Sequence, residues 1–204
     1  GVTAGLVLLQ WDYILFPALA GFLVVGPLLA LGLYDKSRRL ADGRPVSLGR
    51  MLFPEIASGG QIVFTGALLC LLMLLWMRAA VLLYALFFGV RAFPGLDHIA
   101  AMLFTTPTGW AMLIIGSLIG GLFAAFGFAV SAFSIPMMLD RRLDALTALG
   151  TSWMLVVHNL PAMLVWGAIT LGLFLLALAT GMIGMILIFP LLGHATWHAY
   201  EAVR

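Results

Sequence analysis

The chain has 204 residues, of which 64% are hydrophobic and 9% charged, and ten Lys and Arg against eight Asp and Glu leave a net charge of +2. Soluble domains carry about 25% charged residues, so that class is excluded. The basic residues lie beside apolar runs rather than in a stripe, which excludes a nucleic-acid binder, and the single Cys70 offers neither a disulfide framework nor a thiolate metal site.

Charge is confined to islands: Asp12, a cluster from Asp35 to Glu55, Arg78, Arg91, Asp97, a cluster from Asp140 to Asp144, and Glu201 with Arg204. The uncharged stretches between the main islands, 13–34, 56–77, 98–139 and 145–200, are long enough to cross a bilayer, for which roughly 20 apolar residues suffice. The composition predicts an all-α, polytopic transmembrane bundle of about five full spans plus a truncated N-terminal helix, with two cytoplasmic interfacial amphipathic helices.

In chain order, residues 1–9 read as the end of a helix rather than as a signal peptide, and Gln10 to Tyr13 as a turn at a membrane interface. The first full span runs from about Ile14 to Tyr34. Lys36, Arg38 and Arg39, with Arg44 and Arg50, then serve as cytoplasmic basic anchors. Ser47 to Gly59 suits an interfacial helix. The next span starts near Gly60 and stays apolar to Val90, so it is either one long tilted helix or a span followed by an outer interfacial segment. Arg78 falls about 27 Å along it at 1.5 Å per residue, near the outer interface. There it snorkels, or pairs with Asp97, Asp12 or a lipid headgroup. Residues 91–98 make the outer loop.

A third span, about Gly109 to Phe133, carries Gly116, Gly120, Ala124, Gly127 and Ser131 at three-or-four spacing, a face for close approach of another helix. Arg141 and Arg142 mark a second cytoplasmic island. Residues 140–158 form an amphipathic helix with Asp140, Asp144, Thr147, Thr151 and His158 along a polar stripe. Pro161 restarts the chain, and residues 162–199 hold two spans near the minimum length with Thr180 and Gly181 at the turn. The whole, 1–204, reads as a single transmembrane domain with a weak internal repeat, 14–90 and 109–180, and both termini fall on the cytoplasmic side.

Chemistry has few candidates. His194 and His198 are spaced i and i+4 on a helix, and topology brings His158 to their side, so a metal or haem site is a possible use. Interfacial anchoring beside Trp197 and Tyr200 is the plainer one. Pro27, Pro136 and Pro190 kink their helices, as prolines in membrane helices commonly do. No phosphate loop, zinc-protease helix motif or nucleophile elbow occurs, and no acidic residue falls mid-span.

The stretches GFLVVGPLLALGLYDKSRRLADGRPVS (21–47), WMRAA (76–80), PMMLDRRLDALTALGTS (136–152) and PLLGHATWHAY (190–200) together resemble a family of bacterial integral membrane proteins classed as a domain of unknown function, with GHATWHAY the most distinctive part. In that family a basic residue follows the final Tyr, where this chain has Glu201. Some members are labelled subunit I of cytochrome c oxidase, but a haem-copper core needs more histidines than the four present here, one of which, His98, lies on the opposite side. The resemblance implies a multi-pass protein of the bacterial inner membrane. The expected role is a non-catalytic accessory or assembly subunit of a larger, respiratory or other, membrane complex, in contact with lipids and other integral subunits and with no cofactor. The alternatives are a small permease or channel, or a haem- or divalent-metal-binding membrane protein using His194, His198 and His158.

Overall fold

The computed structural model describes residues 30–47, 49, 58–89 and 96–203, which are helical and contain no strand. The helices are α1 (Leu31–Ala41), α2 (Gly59–Phe88), α3 (Leu96–Thr105), α4 (Pro107–Ser131), α5 (Ser134–Asp140), α6 (Ala145–His158), α7 (Leu160–Ala179) and α8 (Met185–Val203). The described residues divide into two compact units, those up to Cys70 together with those from Phe128 onward, and those between Leu71 and Gly127.

Three helical runs are long and apolar enough to cross a membrane: Gly59–Phe88, Pro107–Asp140 and Leu160–Ala179. They are apolar on every side, as membrane helices are, and only 11% of the most apolar stretch of each is buried. The expected count of five full spans is not reached among the described residues, for two reasons. The first span and the interfacial segment 47–59 lie almost wholly outside them. The last helix, α8, is apolar only as far as Leu192 and then turns polar.

Other boundaries also moved. The region after Tyr34, expected as a basic loop, continues as helix to Ala41, because Asp35 pairs with Arg38 and Arg39 one turn on. Of the two readings open for residues 60–90, the continuous helix holds: α2 runs 30 residues and stops at Gly89, whose φ of +68° suits the left-handed residue that ends helices. Residues 96–105, expected partly as loop, form α3. The α7–α8 turn follows the expected sequence signal. Met182 N–H reaches the Ala177 carbonyl (2.7 Å) and Gly181 N–H that of Leu178 (2.9 Å), with both turn residues at positive φ, the paired bonds of a Schellman cap.

In the first unit the core gathers Tyr34, Phe133, Ile135, Met138, Leu139, Trp197 and Tyr200, all 4% exposed or less, around α5. Short as it is, α5 is buried from Ser134 to Leu139. It is set off from α4 by a break at residues 132–133, and the Ser152 hydroxyl of α6 occupies that break. Phe133 N–H donates to Ser152 Oγ (3.1 Å), which donates to the Ala129 carbonyl (2.8 Å). In an unbroken helix those two backbone groups would bond each other; the Ser152 hydroxyl meets both at a break where Pro136 offers no N–H to the Ala132 carbonyl.

The loop into α6 is tied to the start of α2. Ser58 Oγ donates to the Arg141 carbonyl and accepts from Leu143 N–H, and Gln61 Oε1 accepts from Ala145 N–H. Asp144 is the N-cap of α6, accepting from Thr147 N–H at 2.9 Å, and that bond, with the Thr147 hydroxyl, holds its carboxyl below the usual carboxylate range. A lowered native pKa makes the cap's contribution present at neutral pH and lost as pH falls below about 3.9 and through the lowered value. Acidification should therefore reduce amide-proton protection at Thr147, and Asp144→Asn should flatten that pH dependence.

In the second unit α4 meets α2 at Leu72 and Trp76. A Cβ on Gly120 would stand 2.9 Å from the Trp76 ring, and one on Gly127 3.5 Å from Leu72. Trp76 also packs on Phe123 at 5.7 Å between ring centroids.

Candidate functional site

The polar residues of the first unit converge where α1, α5 and α8 meet. On α1, Asp35 is 1% exposed and accepts from Arg38 Nη2 at 2.6 Å and Arg39 Nε at 2.8 Å. A carboxylate this deep is tolerable only when paired. Arg38 also donates through Nη1 to the Leu139 carbonyl at 2.8 Å, satisfying one of the acceptors that the end of α5 leaves open. Ser37, 3% exposed, bonds its hydroxyl to His194 Nδ1 at 2.5 Å.

The α8 side is built by the spacing Gly193, Trp197, Tyr200, which shares one helix face. Gly193 permits close approach: a Cβ there would lie 2.6 Å from Leu33 Cδ1 and 3.0 Å from its Cβ. Trp197 and Tyr200, each 1% exposed, pack their rings at 5.6 Å. The Tyr200 hydroxyl donates to Asp140 Oδ2 at 3.2 Å, at the end of α5. The indole N–H of Trp197 is buried with no hydrogen-bond partner among the described residues. Gly193→Ala should push α1 and α8 apart and lower stability by about 1–3 kcal/mol, the usual effect of overpacking. Adding Leu33→Ala should restore much of the loss in a detergent melt, because it empties the space the new methyl needs.

The arrangement is a clamp: the Asp35 ion pairs lie within α1, and the bonds from Arg38 to the Leu139 carbonyl, Ser37 to His194 and Tyr200 to Asp140 join α1, α5 and α8. It does not assemble a metal centre: among the described residues no three His, Cys, Asp or Glu side chains come together. His194 is turned to Ser37, His198 is 66% exposed and faces Glu201 at 3.3 Å, and His158 is exposed with Nδ1 against the Met154 carbonyl of its own helix. The three histidines placed on one side by topology are therefore not brought together.

The basic residues divide as well. Of the expected cytoplasmic basic anchors, Arg39 is buried at 3% and Arg38 points to Asp35 and Leu139, so these two work inside the clamp. Lys36 is half-buried, and Arg141 and Arg142 are exposed. Arg78 is exposed on α2, about 28 Å from Gly59 along the helix. Its expected partners cannot be placed, since Asp12 and the Asp97 side chain lie outside the described residues. Of the small-residue face, Gly120 and Gly127 meet this chain's own α2. Gly116 has open space at its Cβ position, Ala124 is exposed and Ser131 is half-buried. The sequence reading missed the buried roles of Asp35, Ser37 and Ser152. For Asp35 a signal existed, an acid three and four residues before two arginines on one helix.

Apolar helices of membrane-crossing length define an integral membrane protein of the helical class. The family model described as "Predicted integral membrane protein (DUF2189)" matches residues 15–140, and the chain belongs to that family. The match takes in α1 to α5, and ends before the GHATWHAY segment of α8. No curated protein and no solved structure matches the chain.

Proposed function

We propose that this protein is a non-catalytic accessory or assembly subunit of a larger complex in a bacterial inner membrane, with both termini cytoplasmic and α6 lying in the cytoplasmic interface. One observation carries the reading. The polar side chains that would otherwise be candidates for chemistry (Asp35, Ser37, Arg38, Arg39, His194, Tyr200 and Asp140) are engaged with one another and with the Leu139 carbonyl. Groups committed in this way are not free for chemistry, and the long apolar helices are little buried within the chain. In a bilayer such surfaces meet lipid or the helices of other subunits, and small residues with room beside them, such as Gly116, favour the latter.

Purification of the tagged full-length chain from its native membrane in mild detergent tests this. Membrane subunits that accompany it in fixed stoichiometry are the expected result. A monodisperse lone chain across several mild detergents overturns it.

A further inference from the structure

The surface of α6 has three sectors rather than two. Ala145, Ala148, Ser152 and Val156 face the protein and are buried. Leu146, Trp153, Met154 and Val157 form a second sector, 67%, 40%, 53% and 45% exposed. Asp144, Thr147, Thr151 and His158 form a third, with all but the half-buried Thr151 exposed. At 100° per residue these sectors follow one another around the axis. Neither water nor hydrocarbon alone accommodates both outer sectors. A position at the bilayer boundary, with the axis near the membrane plane, accommodates both.

Length and attachment agree. Fourteen residues extend about 21 Å, short of the roughly 30 Å hydrocarbon core. The helix begins where Gln61 and Ser58 hold its entry loop to the first turn of one span, and it ends at Asn159, directly before another span, α7. Both ends therefore adjoin span termini. Trp153 is of the type that collects at that depth.

Immediately before this helix stand Arg141 and Arg142, both exposed. Arg141 has 57% of its side chain accessible and only a 3.7 Å approach to Asp140, a carboxylate that Tyr200 also engages. An exposed pair at that distance contributes little, so the positive charge is directed outward. We propose that Arg141 and Arg142, with the apolar sector of α6, form a docking surface for anionic phospholipids of the surrounding leaflet, the guanidinium groups taking the headgroup phosphates and Leu146, Trp153 and Val157 entering between the acyl chains. This rests on the interfacial placement of α6 proposed above, and it is independent of whether other subunits bind.

The purified full chain in nanodiscs serves for the test. In a Cys70→Ala background, nitroxide labels on Leu146→Cys and Val157→Cys should collide preferentially with oxygen, and labels on Thr147→Cys and Thr151→Cys with a water-soluble nickel chelate. Nickel preference at 146 and 157, or exclusion of both reagents there by a covering protein chain, overturns the placement and the inference with it. In the second arm, spin-labelled phosphatidylglycerol should associate more strongly than spin-labelled phosphatidylcholine. That preference should fall roughly five-fold for each of Arg141→Gln and Arg142→Gln, the equivalent of the usual contribution of one basic residue near an anionic surface. Excess inorganic phosphate should leave the preference in place. An unchanged preference in the double variant overturns the headgroup assignment while leaving the depth profile, and the reading of α6 as interfacial, intact.

Discussion

Asp35→Ala is expected to destabilise the folded chain by about 3–5 kcal/mol, the cost of removing one partner from a buried ion pair and leaving the other charge uncompensated. Asp35 is the shared acceptor for Arg38 and Arg39, and Arg39 is itself only 3% exposed. Without the carboxylate, a guanidinium in the core must either move toward solvent, dragging α1 from α8, or remain at a desolvation cost. A melt in mild detergent, followed by near-ultraviolet dichroism of Trp197 and Tyr200, measures the loss. Asp42→Ala is the control, since Asp42 pairs with Arg44 on the surface at 3.5 Å and such pairs contribute roughly 0–1 kcal/mol. The double variant Asp35→Leu/Arg39→Leu should recover a large part of the stability, because apolar replacement of a whole buried pair is often neutral. Equal melting temperatures for Asp35→Ala and Asp42→Ala would show that the buried ion pair does not stabilise the fold.

The second large effect belongs to Ser152→Ala. The hydroxyl closes the break between α4 and α5 by serving both Phe133 N–H and the Ala129 carbonyl, and Ser152 is fully buried. Each group left unmet costs about 1–3 kcal/mol. The alternative is for the two backbone groups to bond each other, closing the ladder at residue 133 and displacing the buried α5 from its packing, although Pro136 still keeps the helix from running straight. Either route lowers stability, and amide exchange separates them. Faster exchange at Phe133 marks unmet groups, whereas slower exchange there with faster exchange in α6 marks a healed helix. Unchanged exchange at Phe133, α5 and α6 together would refute the bridging role.

The clamp was partly visible in the sequence. The arginines after Tyr34 stood out as charge, and GHATWHAY stood out as a pattern, but the two were read as separate interfacial features. What joins them is a contact between residues 157 apart, Ser37 and His194, and no local spacing encodes it. The helical geometry around Asp35 was readable in principle, because an acid three and four residues before two arginines favours helix. The stretch nevertheless reads as loop, because charge following an apolar run is the ordinary sign of a membrane boundary. Ser152 gave no signal of its own. A serine on a helix commonly bonds within its own turn, and only the kink in another helix turns it outward from its backbone and into a break.

The amino-acid sequence by itself determined the class of this protein, the long apolar helices α2, α4 and α7, and the Thr180–Gly181 turn, because hydropathy over 20 residues and the left-handed preference of glycine act locally. Tertiary structure alone decided which charges face inward. Arg39 and Arg141 look alike in the chain, each in a basic pair beside an apolar run. Arg39 is buried against Asp35, and Arg141 is left exposed at the head of α6. The difference is set by desolvation, whose cost depends on the neighbours that folding brings from distant parts of the chain.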